Sequence, residues 1–368
     1  MNAAPWTHPL LRPFRARRFV GCGFPGLKPW AESSCLFGAL RPTPLNTYEP
    51  FASRDVRTSL VPLLAAVGLD LLLGDPRGWP HIAKFTGRLS EWYEAQLTKR
   101  VQRTAALGVV FWFCVVGMLL ATYLFARRFC LLIGPASVLV LDSIVIYQAI
   151  AVRDLHKHAE AVLKPLIRHD LAAARKQLSW LVGRDTRSLD ESEISRATIE
   201  SVAESLTDGI IAPLFWSLLG GAPGALVYRA ANTLDSMVGH RTAAYEKFGK
   251  ASARIDDLMN WVPARICATL FCIFSHKDLG TVRSEAAAHA SPNAGWGEAA
   301  MAHALGVRLG GGNHYDGKLV QGPLFNPAGR PASVADIRKS LNWMWAISGA
   351  GIGVFLLATA LKDKLRSK

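Results

Sequence analysis

Residues 105–126 read AALGVVFWFCVVGMLLATYLFA, without a single charge. At 1.5 Å per residue such a run covers the ~30 Å hydrocarbon core of a bilayer as one helix. A second run, Leu341 to Leu361, is nearly as apolar and carries Trp343 and Trp345 at one end, where interfacial aromatics belong. Other runs are less regular. Phe129 to Val152 is long enough but contains Asp142, and Leu60 to Leu73 is short and contains Asp70. Ile210 to Val227 is interrupted by Pro213, Gly220, Gly221 and Pro223. Ile266 to Phe274 is too short to span, although 261–275 suits a tilted or re-entrant piece. The expected fold is all-α: a multipass helical membrane protein with substantial polar helical loops.

Composition agrees. Half of the chain is hydrophobic, 19% is charged and mean hydropathy is +0.19. The net charge of +14 comes from Lys and Arg that flank apolar runs, as in Arg100, Arg103, Arg127, Arg128 and the C-terminal KDKLRSK. That distribution serves a lipid bilayer partner rather than nucleic acid, because no stacking aromatics interleave with the basic residues. The six cysteines form no C-x-x-C, no zinc spacing and no disulfide framework.

Residues 1–56 are rich in Pro, Arg and Trp and lack a helical period, so a poorly ordered or mis-started extension is expected, with the integral membrane domain at 57–368. Residues 86–97 suit an amphipathic helix, and Arg127-Arg128 suits a turn between two spans. Pro165 should break or kink the helix that starts at Leu155. Ser188-Leu189-Asp190-Glu191 has the form of a capping box. Residues 276–340 read as a polar, Gly-rich loop without β-alternation. Within it, Gly312 to Leu319 imitates a P-loop but lacks the magnesium-binding hydroxyl, so a turn-rich loop is the better reading. Positive-inside counting places 77–104, 153–208 and the C-terminal tail on the cytoplasmic side. The polar segment 229–259 joins them only if 209–228 and 261–275 are re-entrant.

Two constellations could carry chemistry. Glu193, Glu200, Glu204 and Asp208 are spaced seven, four and four, which puts them on one helix face. A cation would relieve their repulsion, whereas a solvated face would need none. The segment YRAANTLDSMVGHRTAAYEKFGKASARIDDLMNWVPAR, from Tyr228 to Arg265, crowds Arg229, Asn232, Asp235, Ser236, Arg241, Asp256 and Asp257 beside apolar runs. Polar groups so placed must pair or bind something. Asp256 and Asp257 could hold a metal, and Arg229, Arg241, Lys247 and Arg254 could neutralise phosphate; plain juxtamembrane pairing is the alternative.

Four blocks together resemble the CobD/CbiB family of cobalamin-biosynthesis membrane proteins, the adenosylcobinamide-phosphate synthases. They are LDLLLGDPRGWPHIAKFTGRL (69–89), LSWLVGRDTRSLDESEISRATIESVAESLTDGIIAPLFW (178–216), LVYRAANTLDSMVGHRTAAYEKFGKASARIDDLMNWVPARI (226–266) and SPNAGWGEAAMAHALGVRLGGGNHYDGKLV (291–320). The resemblance implies amide formation between the f propionate carboxylate of a corrinoid, adenosylcobyric acid, and aminopropanol or its O-phosphate. Water does not let a carboxylate and an ammonium condense, so ATP with Mg²⁺ is the expected activator, in an enzyme of the cytoplasmic (inner) membrane. Within these blocks the expected catalytic residues are Glu200, Glu204 and Asp208. The expected substrate contacts are Arg184, Asp185, Arg229, Asn232, Asp235, Ser236, Arg241, Asn293, Trp296 and Glu298, and the expected metal ligands are Asp256 and Asp257. Other corrinoid-pathway enzymes are candidate partners. A transporter for an anionic solute, with paired broken helices in two halves, and a non-catalytic scaffold of the corrinoid pathway are the competing readings.

Overall fold

A computed structural model of the chain describes residues 60–366 apart from residues 77, 100, 240–244 and 316. The extension at 1–56 lies outside the described residues, and so does Arg241. The first half comprises α1 (Leu60–Leu73), α2 (Ile82–Leu97), α3 (Ala105–Ile133), α4 (Pro135–Tyr147), α5 (Val152–Ile167) and α6 (Leu171–Leu178). Then come α7 (Glu191–Leu206), a π-helical turn (Thr207–Ile211), α8 (Ala212–Val238) and α9 (Lys250–Ser275). The chain closes with α10 (Leu279–Ala286), α11 (Ala294–Leu305), the strands β1 (Leu309–Tyr315) and β2 (Lys318–Phe325), and α12 (Val334–Arg366). Among the described residues, five helical stretches are long and apolar enough to cross a membrane: 105–133, 135–167, 191–238, 250–275 and 334–365. The protein is thus a multipass-type helical fold. Helix α9, expected to be short or tilted, is continuous from 250 to 275 despite Pro263.

The turn between the first two long helices falls at Gly134, not at Arg127-Arg128. Gly134 has φ 143, a backbone region that favours glycine, and Pro135 then opens α4. Arg127 stays inside α3 because Asp142 of α4 lies 3.7 Å from its Nε, while the Tyr123 hydroxyl donates to the same carboxylate at 2.6 Å. A carboxylate within an apolar run suggests function, but this one is held as a local partner.

The middle of the chain folds back on itself. The Tyr228 hydroxyl donates to the Asp208 carbonyl at 3.0 Å. A straight helix would hold these residues about 30 Å apart. The reversal is at Gly221, which has φ 65 and ψ −151, a conformation open essentially to glycine alone. Gly224 then passes so close to the preceding limb that a Cβ would come within 2.3 Å of the Trp216 carbonyl oxygen. Residues 212–238 are therefore a re-entrant helical hairpin, and Tyr228 with the residues that follow it in α8 returns to the level of Asp208. The carbonyls of Leu218 and Leu219, stranded just before the reversal, accept the Lys362 ammonium.

Asp363 accepts the Leu60 amide, at the start of α1, whereas the 74–81 loop follows the other end of α1. Lys362 and Asp363 thus satisfy open helix ends at the α8 reversal and at the start of α1.

Local signals were displaced elsewhere. The capping box of α7 is Asp190 with Glu193, two residues beyond Ser188 with Glu191. Pro165 does end a helix: α5 stops at Ile167, and Asp170 caps α6. Residues 309–325, expected as loop, form an antiparallel hairpin with a bulge between Gly310 and Gly312, its turn occupying the pseudo-P-loop. Cys114, Cys130, Cys267 and Cys272 are free.

Candidate active site

The acidic stripe divides into three fates. Glu193 caps its own helix and is spent there. Glu200 is buried and bonded on both oxygens. Arg184 donates to Oε2 at 2.5 Å, Arg196 to Oε1 at 3.1 Å and the Gly310 amide to Oε1 at 2.8 Å. The two guanidinium groups also share the Asn313 carboxamide oxygen, and Arg196 reaches the carbonyls of Gly310 and Gly312. Asp185 accepts the Gly317 amide at 2.8 Å. Arg184, Asp185 and Glu200 thus fasten the β-hairpin onto α7.

Glu204 and Asp208 differ. Neither carboxylate has a hydrogen bond or ion pair among the described residues. Glu204 lines a cavity of about 290 Å³ together with Arg184, Glu200, His289, Glu298 and the hairpin glycines. Asp208 sits in the π-helical turn, where carbonyls lose their regular helical partners. Tyr228 and the Ala151 amide take the carbonyls of Asp208 and Gly209. Such turns recur at functional sites.

The re-entrant hairpin brings the second constellation to the same place. Asp256, Glu204, Asp235 and Arg229 all lie within electrostatic reach of Asp208. Asp256 is buried and held by Asn232 at 3.4 Å and Asn260 at 3.1 Å. The Nε of Arg229 is buried with no partner, an unusual position for a guanidinium. Ser236 is exposed and bonds only the Asn232 carbonyl of its own helix, at 3.0 Å.

Asp256 and Asp257 are not brought together, because neighbours on a helix do not face each other. The Asp257 carbonyl instead accepts Asn293 at 2.7 Å. Among the described residues no three His, Cys, Asp or Glu side chains form a metal-binding group. The donor set nevertheless suits Mg²⁺, which takes one or two carboxylates and completes its shell with water and substrate phosphate. Asp208 and Asp256, from two elements, fit that role better than the adjacent pair.

The third block closes one side. Asn293 ties α11 to α9, and Trp296 stacks on Arg265 outside the cavity, with Trp261 beneath the same guanidinium. Glu298 faces inward. Burial, then the charges of Glu200 and Glu204, push its carboxyl well above the usual range, against the pull of Arg184 and Arg196. His289 lies 4.0 Å from it.

Sequence reasoning missed Arg196, Tyr228, Asn260, His289 and Asn313. Arg196 was within reach, since it stands four residues before Glu200. The others meet their partners across the fold and leave no periodic trace.

Known sequences point the same way. The CobD/Cbib protein family matches residues 63–344. The chain is 40% identical to the cobalamin biosynthesis protein CobD of Klebsiella pneumoniae, over 78% of this chain and 93% of that one. It is 40% identical to CbiB of Salmonella arizonae, over 79% and 94%, and 38% identical to CobD of Citrobacter koseri, over 80% and 95%. No solved structure matches significantly. All four resembling blocks begin and end within the matched segment, and its length and these identities establish that the chain belongs to the CobD/CbiB family.

Proposed function

We propose that this chain is a cobalamin-biosynthesis enzyme that joins a corrinoid propionate carboxylate to aminopropanol or its phosphate ester. The observation that carries the reading is the re-entrant hairpin, which brings the buried Arg229 guanidinium and Asp256 within electrostatic reach of Asp208, one helical turn beyond the cavity-lining Glu204. When bound, ATP-Mg²⁺ would supply the activation that lets phosphate rather than oxide leave the carboxylate. Asp208 and Asp256 would hold a Mg²⁺, and Arg229 would neutralise phosphate oxygens. Glu204, free and facing the cavity, takes the proton of the ammonium so that nitrogen can attack the carbonyl. Glu298, held protonated, donates a hydrogen bond to the carbonyl oxygen. Glu200 acts as a positioning residue through the hairpin it fastens.

The size of the cavity supports this arrangement. About 290 Å³ is at the lower limit of pockets that bury a drug-sized ligand. A macrocycle stays at the mouth and only its side arm enters. In the cell the site faces the cytoplasm from the inner membrane, where ATP is supplied. The test uses purified full-length protein in detergent with adenosylcobyric acid, aminopropanol or its O-phosphate, and ATP-Mg²⁺. Mass spectrometry should detect the amide and equimolar phosphate. Folded protein that forms no amide with either amine overturns the reading.

A further inference from the structure

Helix α9 has two faces. Pro263, Ala264, Cys267, Ala268, Phe271 and Cys272 are buried against the bundle. The residues between them form an outward stripe from Leu258 and Trp261 to Ile273 and Phe274, about 24 Å long and apolar at both ends. Arg265 stands in the middle of this stripe, and between Leu258 and Phe274 the sequence holds no other charge.

A guanidinium keeps its charge in any surroundings, and a charge within a membrane-length apolar helix is a functional candidate. The protein solvates this one without neutralising it. Nη1 donates to the Trp261 carbonyl at 2.6 Å and to the Asn293 carboxamide oxygen at 3.2 Å, and Nη2 donates to the Pro292 carbonyl at 3.4 Å. The indoles of Trp261 and Trp296 stack on the guanidinium, their ring centres 4.2 and 4.8 Å from Cζ. All of these partners are neutral. Among the described residues no carboxylate pairs with Arg265, and the charge that acts on it is that of Arg283, a second cation.

Beside the guanidinium runs a groove of about 280 Å³, lined by Trp261, Val262, Arg265, Ile266, Thr269 and Leu270. The Thr269 hydroxyl donates to the Arg265 carbonyl at 2.7 Å, so it is spent on its own helix. What remains is an unneutralised cation in the wall of an apolar groove.

We propose that this groove binds an anionic phospholipid, its phosphate at the edge of the Arg265 guanidinium and an acyl chain along Ile266, Thr269 and Leu270. Charge complementarity selects this occupant. A second copy docking the same stripe about a two-fold axis would bring another Arg265 toward the first and no carboxylate with it. A lipid supplies both the anion and the apolar chain, and indoles belong at headgroup level. The site backs onto the cavity described above: Asn293, which Arg265 holds, lies between Ser291 and Ala294, and both of these line that cavity. Lipid binding does not depend on the ligase reading, and its test needs no turnover.

Full-length protein, stripped of lipid in a non-ionic detergent, is titrated with dioleoylphosphatidylglycerol and with dioleoylphosphatidylcholine, and bound lipid is counted by native mass spectrometry. Phosphatidylglycerol should bind about fivefold more tightly than phosphatidylcholine. Arg265→Gln should erase this preference, and Arg265→Lys should keep most of it. Thr269→Trp fills the groove from a partly exposed position and should weaken phosphatidylglycerol binding severalfold, so it reports even if Arg265→Gln folds poorly. Inorganic phosphate should not displace the lipid. Equal affinity for the two lipids, a preference that survives Arg265→Gln, or an affinity that Thr269→Trp leaves unchanged overturns the site. Displacement by inorganic phosphate also overturns it and assigns Arg265 to a soluble anion. A dimer in lipid-free detergent that Thr269→Trp dissociates overturns it and assigns the stripe to a second copy.

Discussion

Glu200 and Asp208 lie two helical turns apart on one acidic stripe, yet the fold treats them oppositely. Glu200 is enclosed by Arg184, Arg196 and the Gly310 amide. Asp208 has no ion pair among the described residues and shares its surroundings with Glu204, Asp235 and Asp256. A buried charge held by guanidinium groups and an amide holds structure together; an unbonded carboxylate among like charges is a candidate for binding something. The contrast separates architecture from chemistry within eight residues of sequence.

The largest expected effect tests the architectural side. Glu200→Ala should destabilise the protein by about 3–5 kcal/mol, since it strands two guanidinium groups. Thermal unfolding in detergent should show it, together with protease sensitivity across 309–325. An unchanged midpoint would remove the distinction.

Asp208→Asn should act the other way. It relieves repulsion and leaves no broken bond, so stability should hold or rise slightly. Turnover should fall at least a hundredfold, about 2.7 kcal/mol of activation free energy. Near-normal turnover would move the chemistry elsewhere among Glu204, Asp235 and Asp256.

Gly224→Ala asks whether the fold-back is what assembles the cluster. A Cβ 2.3 Å from the Trp216 carbonyl forces the two limbs apart. Overpacking of this kind costs about 1–3 kcal/mol. Activity should drop by more than stability, because Arg229 moves relative to Asp208. A crosslinking distance between the limbs that stays unchanged would count against the hairpin.

The smallest effects concern pH. His81 has its pKa lowered from 6.5 to about 4 by burial, so the unfolded chain binds more protons in that window. Its contribution to stability is complete above about 6.5 and declines as pH falls toward 4. Glu298 has the opposite sign. Its raised pKa makes its contribution complete below the ordinary carboxylate range, and that contribution is lost as pH rises through the folded value. His81→Gln should flatten the acid limb of stability measured against pH, and Glu298→Gln the alkaline limb. Retention of both slopes in the two variants would assign them to other groups.

Some local readings failed for a shared reason. Ser188–Glu191 and Asp190–Glu193 both fit a capping box, and only the backbone angle at Asp190 distinguishes them. The strands at 309–325 have glycines where alternation should show, and they pair because Arg184, Arg196 and Glu200 pin them from another element. Strand preference depends on such surroundings more than on composition.

The amino-acid sequence alone determined the helical class, the long apolar spans at 105–126 and 341–361, the family, and the residue types that crowd the site. These are carried by neighbours along the chain, where hydrophobic length and block pattern act locally. The tertiary structure alone decided that 212–238 doubles back and that Glu200 is fastened while Asp208 stays open. Each depends on groups far apart in sequence, such as Gly310 with Glu200 or Asn260 with Tyr228. A carboxylate's role follows from which charges and donors surround it after folding, and spacing along one helix cannot specify them.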